Sequence, residues 1–459
     1  MSSIVKFIFI SVCLIYIPSS YAFDSNDLSL PGYLQHDFSL LGSSETKKSI
    51  QNHYTIMDIN YKIIERKSEK DINKLLTILK GKYNLNDKVN AAAEMFENRP
   101  YGASYLEGEG DWGRAGKRGV LHVQQSPVYR TDQFVCNTLV QTILAAINSS
   151  SLSEFKDNII ANEYGSSGGT SIHYYNRNNF ISGDFNPVNQ RRDFILDDTS
   201  LFPHLTTSAD IDRNNWFYFQ EKNDVIGNNV TIIDSGDKNT NKKNGEAMHQ
   251  RFVSDYPTRN HDFPVEKVSI DYIPKQLLAV YDDHRKSDKV NRQLIDSLPT
   301  PSIVEVVRSS KNWNVNGKNI KEIIGTGINV SHLGVIYKKN FKENDLIYNK
   351  ITCSYSDKNE KVCQVTPILC ERNKGCTEVM YTAATSAYPN GYYYYKSNMS
   401  GSFECSKEPP KSGEKYTLCN RVMSMPLGDY FSSFQYGDYV YMKNNSILGM
   451  NIEKIIEHE

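Results

Sequence analysis

The chain is short of concentrated charge. Lysine and arginine number 52 against 53 aspartates and glutamates, a formal net charge of −1 over 459 residues, and the basic residues gather in no patch. Nucleic acid and anionic lipid are therefore poor partners, because both are recognised through clustered lysine and arginine. Metal-ligand spacing is missing as well: there is no His-Glu-x-x-His, no close histidine pair and no Cys-x-x-Cys, so nothing in the sequence asks for a metal. Tryptophan is scarce, 3 residues against 30 tyrosines, and no internal repeat is visible. Beyond the N-terminus no stretch is apolar enough to cross a membrane.

The N-terminus reads as an export signal. Lys6 supplies a small positive region, Phe7 to Ile17 is an apolar run too short to span a bilayer, and Pro18 to Ala22 offers a small-residue cleavage site. Residues 1–22 are accordingly expected to leave, and the mature protein is expected in a periplasm or secreted. Of the 8 cysteines, Cys13 leaves with the leader. Cys353, Cys363, Cys370, Cys376, Cys405 and Cys419 lie in the last quarter of the chain and can close three bridges, in pairings the sequence does not choose between. Cys136 is left over, and a lone cysteine is read first as a buried small hydrophobe.

Residues 23–88 read as a helical N-terminal extension, with Ile64, Ile72, Leu75, Leu76, Ile78 and Leu79 as a buried stripe. A second helix begins at Val89 and stops before Arg99-Pro100, since the residue before proline avoids the helical region. Asp132 is placed to cap a third helix, on which Cys136, Val140, Ile143 and Ile147 form one stripe. Residues 205–262 are polar and read as a loop-rich insertion. From Val265 the pattern becomes strand-like: Ile303–Val307, Ile328–Tyr337, Asp345–Thr352, Val379–Thr385, Tyr439–Met442 and Ile447–Ile456 are short runs of strand character. The cysteine-rich stretch 353–419 reads as a second, stapled insertion in a domain covering 89–459.

A thiol near a helix N-terminus is a candidate nucleophile, because the unpaired N–H groups there favour the thiolate. Its base is sought among 10 histidines. His332 sits mid-strand with Val330, Gly334 and Ile336 on its own face, and Gly334 leaves space beside it. The plain alternative is a half-buried strand histidine. The Gly-x-Ser-x-Gly at Gly165–Gly169 has neither a buried strand before it nor a helix after it, and reads as a flexible loop rather than a nucleophile elbow.

Five blocks in order resemble the DUF1460 family, N-acetylmuramoyl-L-alanine amidase-like proteins of the NlpC/P60 (papain-like) cysteine peptidase superfamily. They are Ala92-Ala-Glu-Met-Phe-Glu-Asn-Arg-Pro-Tyr101, Phe134-Val-Cys136-Asn-Thr, Tyr174 to Asn189, Val268 to Lys275, and Gly327-Ile-Asn-Val-Ser-His332-Leu-Gly. The resemblance implies an α+β, papain-like fold with the nucleophile helix packed on an antiparallel sheet. It implies Cys136 as nucleophile, His332 as base and Tyr101 as a hydroxyl near the nucleophile. It offers Arg177, Asn178 and Asp184 as substrate-binding residues, with a structural brace the equal alternative for Arg177.

The chain departs from the family where Val135, Gln141 and Asn179 replace the usual Asp, Glu and His. The usual third catalytic residue is also replaced, leaving the hydroxyl of Thr382 or Thr385 to orient the imidazole. The implied activity is amide hydrolysis in peptidoglycan or its fragments (muropeptides), at the N-acetylmuramoyl-L-alanine bond, without metal or organic cofactor. Two alternatives stand beside it: a secreted effector using the same Cys–His pair on a host substrate, and a non-catalytic binding module on this scaffold.

Overall fold

The computed structural model describes residues 64–101, 128–164, 177–216, 264–282, 287–315, 317–355, 361–371, 375–385, 394–397, 403–405, 417–418, 421–432, 435–436, 439–440 and 446–457. The leader, the Gly165–Gly169 loop and most of the polar stretch from 217 onward lie outside them.

Four helices come first: α1 (64–80), α2 (Leu85–Phe96), α3 (Cys136–Ile147) and α4 (Leu152–Tyr164). Helix α2 starts where the Asn84 side chain accepts the Asp87 N–H at 2.8 Å, an N-cap that satisfies one orphan donor. It ends ahead of Pro100, as read from the sequence. Helix α3 is buried at every position from Thr138 to Ile147. A helix buried all round belongs in the middle of a core rather than on a surface. A π-helical turn at Ile181–Phe185 then runs into α5 (Asn186–Arg191).

The helices lie on one face of an eight-stranded sheet. Its strands are β1 (Ile195–Asp197), β2 (Leu205–Ile211), β3 (Glu266–Pro274), β4 (Ser302–Arg308), β5 (Val330–Phe341), β6 (Cys376–Thr385), β7 (Arg421–Pro426) and β8 (Ile447–Ile455). The order is β7-β6-β5-β4-β8-β3-β2, with β1 added alongside β8, and each pairing is antiparallel. Alternation along each strand sends successive side chains to opposite faces. Ile303, Leu333, Val335, Tyr337, Met380, Ala384 and Val422 join α1 to α4 in one core. Val304, Val306, Ile336, Tyr381, Ala383, Met423 and Ile452 pack on the other side. Residues of the short helices Lys275–Leu278, Arg292–Ser297 and Leu427–Ser432 cover them there. The α+β class expected from the sequence is the class observed.

Three boundaries change. Ile72, Leu75, Leu76 and Leu79 of α1 share a core with α3, so the division before residue 89 falls inside one packed unit. Residues 205–211, assigned to an insertion, form β2 of the main sheet. The stretch 353–419 is not one insertion, because β6 runs through the sheet inside it. The hairpin Leu346–Tyr355/Lys361–Leu369, whose register sets Cys353 opposite Cys363, precedes β6, and the short paired strands Tyr394–Ser397 and Phe403–Cys405 follow it. A disulfide between Cys370 and Cys376 ties the end of that hairpin to the start of β6.

Candidate active site

Cys136 is the first residue of α3 and is half-buried at the margin of the helix-side core. Asp132 does not cap this helix. Its carboxylate takes the Arg130 guanidinium instead, at 2.7 and 2.5 Å. Val135 occupies the cap position with extended backbone, and its N–H donates to Thr138 Oγ1 at 3.1 Å. A helix start leaves N–H groups pointing outward, which stabilises a thiolate and offers donors to an oxyanion. Tyr101 is brought to this place: it bridges Phe134 in parallel fashion, and the Phe134 N–H donates to Pro100 O at 3.0 Å. Tyr101 and Cys136 thus flank the same short segment.

His332 is placed less simply. Strands β4 and β5 pair regularly from Ser302↔Ile336 to Val306↔His332, then a bulge shifts the register to Val307↔Val330. His332 has the alternation of Gly334 and Ile336, the face turned away from α3. The space expected beside Gly334 is filled: a Cβ there would stand 2.5 Å from Tyr381 Cε2. His332 Nε2 is buried without a hydrogen-bond partner, and no hydrogen bond between Cys136 and His332 appears among the described residues. Burial, reinforced by the Arg308 guanidinium, pushes the His332 pKa down to about 4, so the ring is neutral at neutral pH. Bulges are common beside active sites because they re-aim a side chain.

Thr382 does not orient His332. It stands opposite Val335, on the α3 face. Its hydroxyl lies 3.1 Å from Tyr337 Oη and 2.7 Å from Ser424 Oγ. Strand parity separates it from the imidazole it was expected to hold.

The three residues expected to bind substrate are drawn into the scaffold. Both Asp184 oxygens are engaged, by Arg213 Nη2 at 2.6 Å, Arg213 Nη1 at 3.0 Å and the Phe180 N–H at 2.9 Å. Asn178 ties its segment to α4, its N–H donating to Glu163 O at 2.5 Å and its Nδ2 to Asn162 O at 2.7 Å. Arg177 is only 5% exposed, which suits a brace rather than a substrate contact. Among the buried acids that escaped the sequence reading are Glu305 and Glu453, both on the helix side of the sheet. Glu305 sits in the run Ile303-Val-Glu-Val-Val307, where β-branched neighbours mark a buried strand.

The family model for N-acetylmuramoyl-L-alanine amidase-like (AmiA-like) proteins matches residues 91–370, more than half of the chain. The chain belongs to this amidase-like family. The matched stretch holds Cys136, His332 and Tyr101 and stops short of Thr382. Among solved structures, protein LPG0564 from Legionella pneumophila, of family DUF1460, is similar in fold. It is 20% identical with a TM-score of 0.52, over 86% of this chain and 97% of that one. An N-acetylmuramoyl-L-alanine amidase from Bacteroides uniformis is 16% identical with a TM-score of 0.37, over 81% of this chain and 99% of that one, a likeness too slight to bear on the fold. No curated protein matches the chain.

Proposed function

We propose that this chain is an exported cysteine amidase of the cell wall, hydrolysing the amide between the lactyl group of N-acetylmuramic acid and L-alanine in peptidoglycan or its fragments. The observation that carries the reading is Cys136 at the first position of a buried helix, within the stretch that matches the amidase-like family. In this reading the architecture is the papain-like arrangement of the NlpC/P60 enzymes, a nucleophile helix laid on an antiparallel sheet that bears the base.

Cys136 Sγ gives its proton to the neutral His332 imidazole and attacks the amide carbon. The carbonyl oxygen becomes an oxyanion facing the N–H groups at the start of α3. The C–N bond then breaks as the imidazolium protonates the leaving amine, and a thioester remains on Cys136. Water hydrolyses it to the lactyl carboxylic acid and the thiol. This sequence requires the strand at His332, where the bulge already breaks the regular ladder, to re-aim the side chain from the face away from α3 towards Cys136 when substrate binds. Resting catalytic pairs are often loose and tighten in the substrate complex.

The test is digestion of purified peptidoglycan and of a synthetic N-acetylmuramoyl-peptide, followed by mass spectrometry. Stem peptides with a newly freed L-alanine amine are expected from the wild type and not from Cys136→Ser. Intact substrate after prolonged incubation with a folded wild-type protein rules the proposal out and leaves a binding module on this scaffold.

A further inference from the structure

The antiparallel ladders gather the reacting groups at one end of the sheet. Strand β5 begins there at Val330, β8 at Ile447 and β2 at Leu205, while β3 and β4 end there at Pro274 and Arg308. Arg421, at the start of β7, lies at the same end, and the Pro100–Arg421 and Tyr101–Phe134 bridges attach the segment before α3 to it. Cys136 therefore enters from the β7 side of β5, and β4, β8 and β3 follow in order on the other side.

Two cations stand along that other side. Arg308 has the alternation of Val306, the ladder partner of His332. Its Nε donates to Ser331 Oγ and its Nη1 to Ser446 Oγ, each at 2.7 Å, and its guanidinium lies 4.6 Å from the centre of the Trp313 ring. Lys275 follows β3 and lines a cleft of about 250 Å³, whose wall also includes Leu205, Tyr272, Pro274, Ile447 and Leu448. Lys275 is 8% exposed. Burial lowers its pKa, and the Arg308 guanidinium adds to the shift. A buried ammonium beside a like charge is disfavoured, and an anion entering the cleft reverses the sign of that neighbour effect.

We propose that this cleft takes the C-terminal carboxylate of the peptide on the leaving side of the scissile amide, with Lys275 as its counter-charge. The direction of the peptide rests on the amidase reading: His332 protonates the leaving amine, so the leaving peptide starts at β5 and runs away from Cys136 across β4 and β8. Three strand spacings of about 4.8 Å separate β5 from β3, about 14 Å in all. An extended chain advances about 3.3–3.6 Å per residue, so a stem of about four residues reaches the cleft. The site reads the length of the stem as well as its charge, and the apolar wall suits an aliphatic last residue.

The test compares N-acetylmuramoyl-peptides that begin with L-alanine, with stems of two and four residues, each as C-terminal acid and C-terminal amide. Binding to Cys136→Ser is measured by calorimetry, and KM and kcat on the wild type. The four-residue acid is expected to bind at least about tenfold tighter than its amide, as a charge-assisted hydrogen bond implies. The difference is expected in KM and not in kcat. The two-residue acid and amide are expected to bind alike, because their ends stop short of the cleft. Lys275→Met in the Cys136→Ser background is expected to abolish the advantage of the four-residue acid, and Lys275→Arg to keep most of it. Should Lys275→Met fail to fold, the acid–amide and length comparisons decide without it. Equal binding of acid and amide at four residues, the same preference at two residues, a preference that survives Lys275→Met, or no binding at all overturns the proposal. Preferential binding of the four-residue acid alongside a wild type that cleaves nothing overturns the amidase reading and leaves the carboxylate site standing.

Discussion

Thr382 Oγ1 lies 3.1 Å from the hydroxyl of Tyr337, on the face of the sheet that carries α3. That contact, with the one to Ser424 Oγ at 2.7 Å, ties Thr382 into the packing of β5, β6 and β7. Thr382→Val is expected to cost about 1–3 kcal/mol, the usual penalty when a buried hydroxyl partner is removed. Amidase activity per folded molecule is expected to stay within a few fold. Denaturant unfolding alongside initial rates separates the two effects, and a loss of activity with stability intact would return Thr382 to the catalytic group.

His332→Gln is expected to lower the rate by about 10²- to 10⁴-fold, the range for a positioned acid–base residue. The same variant has a signature in pH. The folded pKa of about 4 lies below the ordinary value of 6.5. The unfolded chain therefore takes up a proton on this residue that the folded chain refuses. Wild-type stability from this group is fully present above pH 6.5 and lost as pH falls towards about 4. His332→Gln is expected to remove that part of the acid sensitivity, as read from unfolding midpoints across the window. A folded variant with full activity excludes His332 as the base.

Glu453→Gln has the opposite pH signature. Burial raises the Glu453 pKa well above its ordinary 4.5, with Glu305 adding to the shift. Stability from this group is complete below pH 4.5 and is lost as pH rises through the folded value. Relative to wild type, Glu453→Gln is expected to gain stability progressively as pH is raised. A difference between the two proteins that stays constant with pH would show that Glu453 is ionised at rest.

Gly334→Ala is expected to destabilise the fold by about 1–3 kcal/mol, because extra volume in a packed core forces its neighbours to shift. A Cβ at this position meets Tyr381 Cε2 at 2.5 Å and the backbone oxygen of Thr382 at 2.6 Å. The oxygen belongs to the paired strand β6 and has little room to yield. A melting temperature equal to that of the wild type would count against the packing described between β5 and β6.

Much of the framework was legible from local pattern. The stripe Ile72, Leu75, Leu76 and Leu79, the end of α2 before Pro100, and the β-branched runs of β4 and β5 all emerge from periodicity and from proline stereochemistry. Asp132 was misread because a cap signal competes with other uses of the same carboxylate, and here Arg130 takes it. The ion pair of Asp184 was not legible, because its partner Arg213 lies 29 residues on, in a segment taken for an insertion. No local rule announces an ion pair of that span. The run around Glu305 marks a buried strand, but a lone acid in it, like Glu453 in β8, does not tell which face it occupies.

By itself, the sequence determined the helix that begins near Cys136, the strands that carry the sheet, and the ordered blocks shared with an amidase-like family. These depend on neighbours a few residues apart, where spacing and backbone preference act directly. The tertiary structure alone decided which side chains share a face. Register across β4, β5 and β6 set Thr382 with Tyr337 and gave His332 the alternation of Gly334 and Ile336. Pairing of β8 with β4 placed Glu453 and Glu305 on the same face, two residues apart in the ladder. A shift of one residue in a strand exchanges its two faces, and only contacts between distant parts of the chain fix that choice.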